Sequence, residues 1–90
     1  MLKPVYSNSH KDCLKRDKKR GYDFTLLEEI VEQLVQEIPL DPKHRDHALT
    51  GNYAGFRECH IKPNWLLIYY IEDDTIVFVK TGTHSDLFKK

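Results

Sequence analysis

Four histidines lie where the chain is expected to turn or to end a strand: His44, His47, His60 and His84. Imidazole titrates close enough to neutrality to take or give a proton at physiological pH. Cleavage of RNA by its own 2′-hydroxyl needs a base for that proton, an acid for the departing 5′-oxygen and positive charge at the phosphorane. Histidines can fill both proton roles, and Arg57 or Lys80 can supply charge-assisted donors. The fifth histidine, His10, lies in a basic segment and reads as polar surface.

Metal binding is the rival chemistry. His44-x-x-His47 has usable ligand spacing, and His60, Cys59 or His84 could complete a set. No second short-spaced pair accompanies it, and isolated histidines are more often hydrogen-bonded structural groups. The sequence therefore predicts neither a metal nor any other cofactor.

The elements that must position these groups follow from periodicity. Trp65 to Ile71 and Thr75 to Lys80 are rich in β-branched and aromatic residues, with Glu72-Asp73-Asp74 between them as a hairpin turn. His60 precedes the first run and His84 follows the second, so an antiparallel hairpin would bring both rings to one sheet edge. Tyr53 to Ile61 reads as a further strand broken by Gly55, and Lys62-Pro63-Asn64 as the turn after it. Lys3 to Tyr6 is a short strand. Ser7-Asn8-Ser9 can cap a helix over about 10–20, with Gly21 at its C′ position. Only Cys13 and Leu14 are apolar along that helix, which places it on the surface. Thr25 to Glu28 has capping-box spacing, and Leu27, Ile30, Val31, Leu34, Val35 and Ile38 recur at helical spacing until Pro39. Leu40 to Gly51 reads as a loop holding His44 and His47. Leu87 and Phe88 suggest a short closing segment before frayed Lys89 and Lys90. The expectation is one α+β domain over residues 1–90, β-α-α-β-β-β, with two N-terminal helices on one face of a mostly antiparallel sheet.

A 40% apolar share with 11% aromatics argues for a folded globule. The longest apolar run is too short to cross a bilayer and the N-terminus lacks a signal-peptide core, so a cytoplasmic location without membrane contact is expected. Cys13 and Cys59 read as two reduced thiols. The formal net charge of zero hides a polarity. Residues 1–22 carry seven Lys/Arg against two Asp, and residues 23–46 carry seven Asp/Glu against two Lys/Arg. Lys15, Arg16, Lys18, Lys19 and Arg20 are either a solvated, well-capped helix end or a surface for phosphates.

The string D-H-A-L-T-G-N-Y-A-G-F-R-E-C-H-I-K-P-N-W-L-L-I-Y, followed by T-G-T-H-S-D-L-F, closely resembles the YafQ branch of the RelE/ParE toxin superfamily. The resemblance covers Asp46 to Phe88 in register. It implies a RelE-like fold and a type II toxin–antitoxin toxin, an endoribonuclease cutting messenger RNA in the A site of the 70S ribosome. It also implies a DinJ- or RelB-like antitoxin, with the toxin monomeric when free and hetero-oligomeric when neutralised. Residue by residue, it places His47, His60 and His84 in the catalytic set and Trp65 and Phe88 near the active site. Asn64 departs from the aspartate common in the family, which takes part in proton transfer, and an amide cannot carry a proton at neutral pH. Either the histidines share both roles, Glu58 substitutes, or the protein is a slower nuclease. Lys80 replaces an arginine usual before T-G-T-H, exchanging a planar fork for a point charge. On pattern alone Trp65 opens a strand and reads as core; the resemblance adds base stacking. The fold also hosts ParE-type gyrase inhibitors, and a catalytically weak homologue that only binds antitoxin is a further alternative.

Overall fold

The computed structural model describes residues 1–88; the expected fraying of Lys89 and Lys90 lies outside them. Five strands, β1 (Lys3–Tyr6), β2 (His47–Ala48), β3 (Arg57–Lys62), β4 (Trp65–Glu72) and β5 (Thr75–Gly82), form one sheet in the order β1-β5-β4-β3-β2. Only β1 runs parallel, alongside β5, with Val5 opposite Val77. Three helices, α1 (Asn8–Lys19), α2 (Phe24–Val35) and α3 (His84–Phe88), complete the fold.

The expected α+β layout is present, with two additions. Tyr53 to Ile61 is not one strand: residues 51–53 form a 3₁₀ turn, Gly51 and Gly55 take positive φ, and β3 begins at Arg57. Ahead of it, part of the expected loop becomes β2, which pairs His47 with Glu58 and Ala48 with Arg57. The closing segment is a helix, α3, on the sheet face opposite α1 and α2.

Residues of β4 alternate between two cores, which is why the run is apolar almost without interruption. Trp65, Leu67 and Tyr69 join Cys59, Ile61, Ile76 and Phe78 beneath α2, whose Leu27, Ile30, Leu34 and Val35 complete that core. Leu66 and Ile68 pack on the other face with Leu87, flanked by Phe56, Val79 and Phe88. The turn into β5 uses Asp73 at φ 55°, a left-handed conformation that aspartate tolerates better than most residues.

The caps refine the expected helices. Ser7 accepts from the His10 N–H at 3.0 Å and Gly21 has φ 79°, both as anticipated for α1. For α2 the cap is Asp23 rather than Thr25, because its carboxylate reaches the Thr25 N–H at 3.0 Å. That helix also stops before Pro39. Glu37 turns left-handed at φ 61°, its N–H donates to Leu34 O and the Ile38 N–H donates to Gln33 O, which is a Schellman ending. Ile38, expected in the apolar stripe, is therefore exposed.

Two expectations for α1 are corrected. The helix is not merely superficial, because it packs on β5 through His10 and Asp17, both buried. The His10 ring lies 5.7 Å from Tyr6 and 6.0 Å from Phe78, and burial pushes its pKa down to about 4. Apolar count alone misses this, since a neutral imidazole packs against aromatic rings much as an apolar group does.

Candidate active site

Strand register assembles the site. His47 is opposite Glu58, Glu58 opposite Ile68, and Ile68 opposite Lys80, so these side chains form one row across four strands on the face away from α1 and α2. A shift in register between Ile68 and Tyr69 leaves Val79 as an extra residue and turns Lys80 onto this face. In the adjacent row His60 is opposite Leu66, which is opposite Gly82, and His84 follows as the first residue of α3.

Glu58 is the hub. Its Oε1 is 3.3 Å from His60 Nε2 and 3.8 Å from His47 Nε2, and its side chain is 8% exposed. The His60 and His84 rings lie edge to face with centroids 5.8 Å apart. Phe88 lies one helical turn beyond, 6.5 Å from His84, and Tyr53 meets it edge-on at 5.1 Å. An aromatic wall thus borders the imidazoles on one side.

Hydrogen bonds fix how the rings are presented. His47 Nδ1 donates to Arg45 O at 2.5 Å, which leaves Nε2 turned to Glu58. Asn64 Oδ1 lies 3.4 Å from the His84 backbone N–H and 3.2 Å from His84 Nδ1. Since the backbone group can only donate, the amide presents its oxygen, and the ring proton is held on Nδ1 with Nε2 free. His44 Nδ1 donates to the backbone carbonyl of His60 at 2.7 Å and so ties β3 to the 3₁₀ turn at 42–44. His44-x-x-His47 is therefore not a ligand pair. A cleft of about 1020 Å³ opens beside His60 and His84, with Ile30, Lys43, Arg45 and Lys62 among its walls.

A family description reading "Bacterial toxin of type II toxin-antitoxin system, YafQ" matches residues 2–89. The chain belongs to the YafQ toxin family. It is 36% identical over 84 residues to the mRNA interferase toxin YafQ of Escherichia coli K12, covering 92% of this chain and 91% of that one. The toxin in the E. coli DinJ–YafQ complex superposes with a TM-score of 0.90 at 32% identity, over 98% of this chain and 99% of that one. A metal-bound toxin from Helicobacter pylori superposes with a TM-score of 0.91 at 43% identity, over 98% of this chain and 100% of that one.

In this YafQ-family toxin the site expected from sequence is only partly gathered. His47, Glu58, His60, Asn64, His84 and Phe88 converge, and Lys80 lies on the same face, two strands away from Glu58. Trp65 does not: it is 3% exposed, packs on Tyr22 at 4.8 Å and donates from Nε1 to Thr81 Oγ1 at 2.9 Å, so it offers no face to a base. Arg57 belongs to the opposite face, opposite Tyr69, where its Nε lies 3.4 Å from both the Tyr69 hydroxyl and Asp46 Oδ1. The Tyr69 hydroxyl, Asp46 and the loss of competing water raise or oppose its pKa in turn, with the hydroxyl the largest influence and the net direction upward.

Of the basic run on α1, Lys15, Lys18 and Lys19 are exposed, while two arginines are occupied within the protein. Arg16 Nη2 donates to Thr81 O at 2.6 Å, and Arg20 clasps Asp86 through two bonds of 2.6 and 3.0 Å. Sequence reading overlooked Asp86 and Tyr53, and it weighed His44 only as a candidate ligand rather than as the brace on His60. Thr83-x-x-Asp86 carries capping-box spacing, the one signal that could have disclosed Asp86.

Among the described residues, Glu58, His60 and His84 are the group whose ligand atoms converge, all within 4.8 Å of one another. Cys59 points into the helix-side core, where burial pushes its thiol well above the usual range. It is neither a nucleophile nor a ligand for that cluster.

Proposed function

We propose that this protein is a ribosome-dependent endoribonuclease that cuts messenger RNA in the A site by general acid–base catalysis with its own side chains. The observation that carries this reading is the convergence of three imidazoles around Glu58, two of them with Nδ1–H bound to oxygen and Nε2 left available. One imidazole takes the 2′-hydroxyl proton and another protonates the 5′-oxygen, leaving a 2′,3′-cyclic or 3′-phosphate and a 5′-hydroxyl. Glu58 orients His60 and His47. Lys80, exposed on the same face, faces the charge that develops on the phosphorane. Phe88 offers a stacking surface for a displaced base, and Lys15, Lys18 and Lys19 contact ribosomal RNA backbone. A gyrase-binding toxin has no use for such a cluster, which sets the ParE-like alternative aside.

The same reading makes the chain a cytoplasmic toxin, monomeric when free and held inactive in a hetero-oligomer with a DinJ- or RelB-like antitoxin. No helix among the described residues is long and apolar enough to cross a membrane.

Glu58, His60 and His84 also suit a borderline or soft divalent ion, given two imidazoles and a carboxylate. A metal bound there would supply Lewis-acid character. It would also take the imidazole lone pairs that proton transfer needs, so copper or nickel acts on this site as an inhibitor. The decisive experiment maps cleavage ends on a ribosome-bound message kept in magnesium, using toxin first stripped with EDTA and dialysed, with and without added copper. Cuts at the A site by the stripped toxin that disappear with copper are expected; cleavage lost on stripping the toxin and restored by a transition-metal ion would overturn the metal-free mechanism.

A further inference from the structure

The basic end of α1 looks like an RNA-binding surface, yet its two arginines are paired with the segment that carries His84. Arg20 holds Asp86 in a two-pronged pair. Arg16 lies 3.6 Å from the same carboxylate and donates to Thr81 O, one strand-end earlier. Both arginines are braced from beneath by Asp17, fully buried, whose Oδ1 is 3.2 Å from Arg16 Nε and 3.3 Å from Arg20 Nη1.

Asp86 in turn closes the start of α3. Its Oδ2 accepts from the Thr83 N–H at 2.9 Å, while Thr83 Oγ1 accepts from the Asp86 N–H at 3.1 Å. His84 and Ser85 are the two residues between them. A five-residue helix has no stability of its own, so its first turn keeps its position only through such contacts. Gly82 is part of the device: a Cβ there would overlap Arg16 Nη2 and the Asp86 side chain.

We infer that Arg16, Asp17, Arg20 and Asp86 form an ionic latch that positions His84 against Glu58 and His60, and that Arg20 and Asp86 are positioning residues for RNA cleavage rather than contacts to RNA. The latch is overall neutral, two cations against two carboxylates, so it adds nothing to attraction for phosphates. It connects the helix layer on one face of the sheet to the catalytic face through the β5–α3 junction. This inference rests on the nuclease reading above.

The test uses the full-length toxin on ribosome-bound message, with wild type in parallel, so that absence of wild-type cleavage would condemn the nuclease reading and leave the variants to judge the latch by spectroscopy. Asp86→Asn keeps an oxygen for the Thr83 N–H but loses the charge that holds Arg20. It should lower kcat about ten- to a hundred-fold with KM within about two-fold, as expected when a reacting group is misplaced and substrate binding is not. Arg20→Gln should do the same, and the double variant should be no worse than either single one. Arg20→Lys should recover part of kcat. By NMR, the His84 imidazole resonances should shift in Asp86→Asn while those of His47 stay in place. The opposite result is equally clear. If Arg20 grips RNA, Arg20→Gln raises KM and lowers the salt slope of ribosome binding by about one, and Asp86→Asn frees the arginine without loss of kcat. Either that pattern or an unmoved His84 resonance would overturn the latch. Thermal unfolding of each variant, with Arg20→Lys as the mildest, identifies any loss due to misfolding alone.

Discussion

On the helix side of the sheet, Tyr69, Phe78, Leu67 and Trp65 are buried among apolar neighbours, and the two hydrogen-bonding rings there find partners inside the protein. Across the same strands, the opposite face carries His47, Glu58, His60 and Lys80 in adjoining register positions, with His84 beside them. The two faces share a backbone and differ only in alternate residues. What separates them is cover. Two helices close the first face, while five residues of α3 cover only part of the second, and the polar groups left at its margin are those able to exchange protons with a bound substrate.

The contrast predicts opposite consequences for substitutions a few residues apart. His84→Ala should reduce cleavage by about 10²–10⁴-fold, the usual weight of a positioned acid or base, with an unfolding midpoint close to wild type. Phe78→Ala should instead cost about 3–5 kcal/mol of stability, read by urea denaturation, and affect cleavage only through the fraction folded. Equal loss of stability in both variants would break the distinction between the faces.

His10 sharpens it from the buried side. Its folded pKa of about 4 is depressed below the unfolded value, so the neutral ring's contribution is complete above about pH 6.5. As pH falls towards 4 the unfolded chain takes up the proton first, and stability declines by on the order of 2–3 kcal/mol. His10→Phe should flatten that part of the profile, measured as urea midpoints at pH 7 and pH 4.5. A decline of the same size in the variant would place its cause elsewhere. Asp86 contributes at lower pH. Arg20 foremost, with Thr83 and Arg16, holds its carboxyl far below the usual range, so that stabilisation is intact above about pH 4 and is lost only on further acidification.

The smallest effect is expected at Asn64. Its oxygen already fixes the His84 ring, and an aspartate would keep that bond while adding a charge and a place for a proton. Asn64→Asp should raise the single-turnover rate a few-fold on ribosome-bound message. A rate unchanged or lower would mean that the histidines alone carry both proton roles.

Local signals were legible in the sequence because they depend on neighbours in the chain. Ser7 and Gly21 bound α1, the Trp65–Ile71 and Thr75–Lys80 runs pair as a hairpin, and His60 and His84 meet as that hairpin requires. What escaped depends on partners remote in sequence. His10 is buried because β5 lies against its helix, Trp65 because Thr81 accepts its indole proton, and Arg20 is occupied because Asp86 lies 66 residues away. A basic run looks the same in sequence whether its guanidiniums meet solvent or carboxylates. Arg57 and Glu58 are adjacent, and only the register of β3 shows that one belongs to each face.

The strand made last, β5, is not at an edge: it runs between β1 and β4, and His84 follows it after Thr83. Synthesis therefore delivers the central strand that joins β1 to the rest of the sheet after all the others. Until that strand is available, β1 has no neighbour to join, and His84 has no place beside the His47, Glu58 and His60 that β2 and β3 already hold together.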